Sequence, residues 1–408
     1  MQWMGCIILA TCLGACKDGE NTVPAKQSGE APLELTLKLP SLKEAESRAA
    51  GTPQLSGIDF HDVWVLQYND AETHLLNAKY YAASDISADE SSSDFLVIVP
   101  TGSGGTSYFT NENSHFYTFV NGGPALFGTL TEEQLADAKT ALQPSYDTAS
   151  ALKSLLQATP GSSKTFIDDP GLLIDGPISF SKTEGADPQI AIRANLSRTY
   201  ACIRLAYEQT KPEDGKFTPT EAVVVNLPTH LSLFTREGVT TGVYPAIGEA
   251  ATGANRVTAK GTENALFSAT TTPELPWTEK SFLTFYMGEN LRGTGTSTTY
   301  QGKNVAVQGP SGTLDGCTYL IIRGTYQYRI GTDTDSTTPI YSTDGISVEY
   351  RFYLGGNLTN DYNIQRNMRY TVTLRISGAN SADMRVTITD SNVIVFDDSE
   401  TIENEVTL

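Results

Sequence analysis

Leucine falls on every second position at Leu33, Leu35, Leu37 and Leu39, alternating with Glu34, Thr36 and Lys38. That period of two predicts a strand with one buried face. Pro40 ends it, and a polar run over 41–47 leads to Arg48 and the small residues Ala49, Ala50 and Gly51. A strand tied to the body through an exposed, arginine-terminated tether can be cut away. Its loss opens a sheet edge and uncovers a core, which makes a template for a strand from another chain.

The body beyond Ile58 repeats the strand pattern many times. Strands are predicted at 62–68, 78–82, 94–99, 115–120, 178–181 and 189–207, with turns at 69–70, 102–105 and 121–123. One helix is expected near Thr129, where Thr129 with Glu132, or Thr131 with Gln134, forms a capping box. It buries Leu135, Ala138 and Leu142, and a weaker helical stretch covers 149–156. The charged stretch 208–220, broken by Pro212 and Gly215, reads as a linker that divides the body into nearly equal parts. Further strands follow at 222–227, 282–287, 317–328, 346–354, 370–376 and 384–388. The expectation is an all-β chain of two tandem β-sandwiches, 49–211 and 212–408, with a short helical insertion in the first.

Composition agrees with this and narrows the function. The 408 residues, 39% hydrophobic, suffice for two cores. A formal net charge of −19 excludes the cationic footprint that nucleic acid or an anionic lipid surface requires. At the start, the apolar run 6–13 is too short to span a bilayer and ends in Leu13, Gly14, Ala15 and Cys16. This is the pattern of a bacterial lipoprotein signal peptide, 1–15, whose Cys16 becomes lipidated. Residues 17–32 read as a flexible tether, so that 16–48 forms one removable N-terminal segment. Cys202 and Cys317 lie in apolar runs and read as buried thiols rather than a disulfide framework.

Candidate chemistry is sparse. His61, His74, His115 and His230 have no metal-ligand spacing. The loop 101–106 lacks the lysine of a phosphate loop, and no GxSxG elbow is present. The acidic turns at Asp333, Asp335, Asp397 and Asp398 lack the spacing of a known calcium loop. No catalytic residue, metal or cofactor is expected.

Four stretches carry a resemblance: VWVLQY at 63–68, ANLSRTYACI at 194–203, YMGENLRG at 286–293, and YLGGN through DYNIQRN to YTV over 353–372. In this order they resemble the fimbrillin superfamily of Bacteroidales, the subunits of type V pili. The resemblance implies two transthyretin-like Greek-key sandwiches and a subunit exported as an outer-membrane lipoprotein before it joins a surface fimbrium. It also implies cleavage by an Arg-specific surface protease, for which Arg48 and Ala49 are the matching positions and Lys38 and Lys43 fit less well. The displaced strand is then Leu33, Leu35, Leu37 and Leu39. Its place is filled by a C-terminal segment of another pilus subunit. In this chain the candidate donor lies within 384–408 and includes Val386, Ile388, Val393 and Val395, although 393–396 equally fits an internal edge strand. A tip or accessory adhesin of the same pilus, with a host or bacterial ligand, is the alternative. A monomeric glycan-binding lipoprotein using Trp64 or Trp277 is a third reading.

Overall fold

A computed structural model describes residues 29–38, 60–92, 95–100, 107–158, 171–209, 213–228, 230–234, 263–268, 283–334, 337–379, 381–390 and 402–404. The first part of the chain holds β1 (Glu30–Lys38), β2 (Asp62–Asn69), β3 (Leu75–Ala82), β4 (Ile86–Ser92), β5 (Phe95–Pro100), β6 (Tyr108–Thr110) and β7 (Ser114–Val120). It continues through α1 (Glu132–Ala136), α2 (Ala138–Tyr146), α3 (Ala149–Lys153), β8 (Leu156–Ala158), β9 (Leu173–Phe180), β10 (Ile190–Asn195) and β11 (Ser197–Arg198). The second part holds β12 (Tyr200–Gln209), β13 (Gly215–Val225), β14 (His230–Ser232), β15 (Glu263–Ser268), β16 (Leu283–Gly288) and α4 (Tyr300–Lys303). It ends with β17 (Tyr319–Thr332), β18 (Pro339–Tyr341), β19 (Ile346–Tyr353), β20 (Met368–Gly378), β21 (Ser381–Asp390) and β22 (Ile402–Asn404). The chain is all-β, as its alternating pattern requires.

Two sheets make the first sandwich. One runs β10-β1-β5-β4 with β6 also beside β1, and the other runs β11-β9-β7-β2-β3. The second sandwich pairs β16-β12-β20-β21-β22 with β15-β13-β17-β18, where β19 also flanks β17. Every residue from Asp62 to Tyr68 is buried, because β2 is covered on both faces. Val63 and Val65 face β1 across the sandwich core, whereas Trp64, Leu66 and Tyr68 pack against Leu142 and Leu152 of the helical insertion. Trp64 donates its indole N–H to the Gly123 carbonyl at 2.9 Å and meets Phe127 edge-on. It is core, so it offers no glycan surface; Trp277 lies outside the described residues.

The helical insertion starts at the Thr131–Gln134 capping box, with both reciprocal bonds present. The single helix expected there breaks at Asp137 into α1 and α2, and Ala138 and Leu142 are buried on α2. Leu135 packs only partly against the same core.

The expected boundary at 211/212 is corrected by strand pairing. β12 lies in the second sandwich, antiparallel to β16 and parallel to β20, so 208–220 falls inside that domain between β12 and β13. The chain changes sandwich at Thr199, where β11 pairs with β9 and β12 begins one residue later. Cys202 and Cys317 therefore share the second sandwich; both are buried and no disulfide joins them.

Between β16 and β17 an excursion carrying α4 packs against the 355–367 turns. Asn357 Oδ1 accepts from the backbone N–H groups of Thr359, Asn360 and Asp361 at 2.9, 2.8 and 3.0 Å, which fixes the turn. Gly355 has φ +150°, and a Cβ there would meet the Asp361 carbonyl at 1.9 Å, so only glycine fits. Lys303 is 1% exposed; its ammonium donates to the Asn357 carbonyl and lies 5.3 Å from the Tyr362 ring centroid. Burial pushes Lys303 down to about 7, with Asp361 pulling it part of the way back.

This depression has a stability consequence with a defined sign. Between pH 7 and the ordinary lysine range the folded state binds fewer protons than the unfolded chain, so stability rises with pH across that window. Relative to Lys303→Met, which removes the titration, the wild type is expected to gain about 2 kcal/mol between pH 7 and pH 9. Urea denaturation of both proteins at the two pH values checks this; parallel changes in the two proteins would refute it.

Candidate functional site

β1 is the element on which the site is built. Ala31, Leu33, Leu35 and Leu37 are each at most 1% exposed, while the residues between them are half-buried. The buried row packs against Val63, Val65, Phe109, Phe116, Ile190 and Ile192. The alternation seen in the sequence is therefore an inward face and an outward face.

β1 sits inside its sheet rather than at its edge. On one side it runs parallel to β10, from Leu33 opposite Ile190 to Lys38 opposite Asn195. On the other it is antiparallel to β5 at Leu35 to Lys38 and to β6 at Glu30 to Pro32. Pro32 falls before the β10 ladder begins at Leu33, and the Leu33 N–H points the other way, to the Ser107 carbonyl at 3.2 Å. Successive N–H groups alternate in direction, so the N–H that proline lacks would have met no ladder. The ends are also tied: Leu196 donates to the Lys38 carbonyl and Asn111 to the Gly29 carbonyl, both at 2.9 Å. Outside the sheet, Gln189 Nε2 donates to Glu34 Oε2 at 2.9 Å.

None of the flanking strands is the chain neighbour of β1. The next element, β2, lies in the opposite sheet, and β5, β6 and β10 arrive from later in the chain. No tight turn joins β1 to its partner strands.

The remaining predicted positions fall as follows. Leu39, Arg48, Ala49 and Cys16 lie outside the described residues, as do Val393 and Val395. Val386 and Ile388 belong to β21, opposite Val372 and Tyr370 of β20 on one side and Asn404 and Ile402 of β22 on the other. As a donor, this segment would first have to leave a ladder spanning Ser381 to Asp390.

Sequence reasoning missed the joint between the sandwiches. β14, from the second half, pairs with β8 of the first, and Leu233 and Phe234 enter the first half's aromatic layer, with Phe234 edge-on to Tyr117 and Phe119. Arg366 holds this segment: its guanidinium donates to the carbonyls of Leu233 and Ser232 at 2.7 and 2.6 Å and pairs with Glu289 at 3.1 Å. Arg366 stands in the DYNIQRN motif, a signal for the motif but not for its role.

The titratable groups form no enzyme-like centre among the described residues. His74 Nδ1 meets Asp147 at 2.8 Å on the surface, and His115 lies 3.3 Å from Ser179 Oγ but 4.0 Å from Asp70, beyond hydrogen-bond reach. No group of three metal-ligating side chains occurs among the described residues.

A family model described as a domain of unknown function (DUF4906) matches residues 285–374, which run from β16 into β20. A search of curated proteins finds no match. Among solved structures, the chain is similar to a protein described as a cell adhesion protein from Parabacteroides distasonis. The identity is 12% over 88% of this chain and 96% of that one, with a TM-score of 0.48. It is also similar to the tip fimbrial protein Mfa3 from Porphyromonas gingivalis, at 10% identity over 88% and 99% of the two chains, TM-score 0.45. A fimbrilin from the same organism matches at 13% identity over 88% and 96%, TM-score 0.42.

Proposed function

We propose that this chain is a structural subunit of a cell-surface fimbrium, assembled by strand exchange at the β1 site and contributing to adhesion. The observation that carries the proposal is the placement of β1: inside the sheet, buried on its leucine face, and joined to none of its partner strands by a turn. The protein reaches the outer membrane as a lipoprotein on Cys16. An Arg-specific surface protease then cuts after Arg48, β1 leaves, and a strand of a neighbouring subunit restores the ladder. Burial of four apolar side chains at roughly 1.5 to 3 kcal/mol each, with a full ladder, makes the exchanged strand slow to leave.

The in-chain pairing of β21 supports a second reading. A subunit that keeps β21 in its own sheet accepts a donor without giving that strand, as a tip or accessory adhesin does. The mature N-terminus tests the proposal, by mass spectrometry of material sheared from native cells against material left in the membrane. Ala49 at the start of sheared, high-mass material is the expected result; a lipidated Cys16 as the sole N-terminus of a monomer would refute strand exchange. Whether the cut protein then polymerises alone, or stays monomeric and only takes up peptide, separates the two readings.

A further inference from the structure

We infer that the overhanging end of β17, with β18 and the start of β19, docks onto the first sandwich of a second copy of this chain; this rests on the strand-exchange reading above. The inward face of β17 buries Leu320, Ile322 and Tyr326, the last of these 1% exposed. It then runs on past the core. Tyr328 lies edge-on to Tyr326 at 5.3 Å yet is 48% exposed, and Ile330 is 66% exposed.

Register places further apolar groups beside them. Ile346 stands opposite Tyr326 and so shares its face. Tyr341 stands opposite Arg329 and Ile340 opposite Gly331, with a bulge at Ile330 between them, which brings Ile330 and Ile340 close together at this end of the strand pair. Ile340 and Ile346 are both more than 40% exposed. β13 begins opposite Tyr328 and β19 opposite Tyr326, so beyond those points β18 is the one strand beside β17 among the described residues. Four of the six exposed large hydrophobic side chains among the described residues are gathered here. A core face that continues beyond its own core calls for a cover from another molecule.

The strand directions say which molecule. β12 leaves the junction at Thr199 and runs toward the end where Gly215 meets Tyr328, so the overhang lies at the far end of the second sandwich. β22 runs toward the same end, from Ile402 opposite Ile388 to Asn404 opposite Val386. In the first sandwich, β10 runs beside β1 toward the junction, so the mouth of the β1 slot, at Gly29 and Glu30, is at the opposite end of the protein. Copies stacked head to tail for strand exchange bring the overhang of one against the mouth of the next, a heterologous contact that propagates. The rim of that mouth is firm. Asn111 donates to the Thr183 carbonyl at 2.8 Å, accepts from the Thr183 N–H at 3.0 Å, and also bonds Gly29.

The test uses the full chain with a photo-crosslinking residue at Ile330, and separately the Ile330→Asp/Ile340→Asp double variant, before and after Arg-specific cleavage. The double variant should melt with the wild type, since both side chains are exposed, release β1 at the same rate, and assemble about tenfold more slowly. The probe should crosslink to 110–113 or 181–189 of a second copy. Unchanged assembly of the double variant, or crosslinks confined to the probe's own chain or to another partner, overturns the inference. If cut wild-type protein stays monomeric and also takes up no Glu30–Lys38 peptide, strand exchange fails for this chain. In that case an intermolecular crosslink to the rim in concentrated protein keeps the docking face, and its absence removes it.

Discussion

Leu35→Asp in the uncut chain is expected to make the first sandwich accept a free peptide of sequence Glu30–Lys38, which the uncut wild type will refuse. Leu35 is fully buried, opposite Ile192 on β10 and Ile98 on β5. Truncation to alanine alone costs about 2 to 5 kcal/mol at such a site. Aspartate adds an unpaired carboxylate in an apolar slot, at a further cost of several kcal/mol. The protein relieves both by expelling β1, which no tight turn holds to its partner strands, and the slot remains for a better occupant. Fluorescence anisotropy of a labelled peptide reads the outcome. Binding by Leu35→Asp without proteolysis is expected, with Leu35→Ala intermediate; global unfolding without peptide rescue would show that β1 is a permanent part of the fold.

The same strand shows how far the sequence could be read. Leucines at every second position define an inward face whatever the partners are, so β1 was legible from residues 33–39 alone. Its neighbours were not. Pairing with β10, β5 and β6 joins segments roughly 60 to 155 positions apart, and alternation carries no address for its partner. The domain boundary failed for a related reason. Pro212 and Gly215 signal a turn equally well between two domains or between two sheets of one domain. The true junction at Thr199 has no proline or glycine to mark it, only the short polar stretch Ser197, Arg198 and Thr199 between the alternating β10 and the apolar start of β12 at Tyr200 to Ile203. Donor strands are illegible for a different reason: Val386 and Ile388 have the pattern of a strand, and a strand at home looks the same in sequence as one held in reserve.

The joint between the sandwiches was the least legible part, and it carries the other large expected effect. Arg366→Ala should destabilise the protein by about 3 to 5 kcal/mol, the usual cost of breaking a buried pair by removing one partner. The Arg366 and Glu289 side chains are each only 10% exposed, so truncation strands a carboxylate and leaves the Ser232 and Leu233 carbonyls without their donor. Arg366→Lys should rescue little, because an ammonium cannot reproduce a planar fork reaching two carbonyls and a carboxylate together. The damage should also cross to the other sandwich. With the segment loosened, β14 no longer holds β8, and Phe234 no longer covers Tyr117 and Phe119. Hydrogen exchange should therefore quicken at β8 and β14 in Arg366→Ala while the ladder between β1 and β10 stays protected. Faster exchange confined to the second sandwich would mean that Arg366 braces only its own domain, and that the two halves are not coupled through this joint.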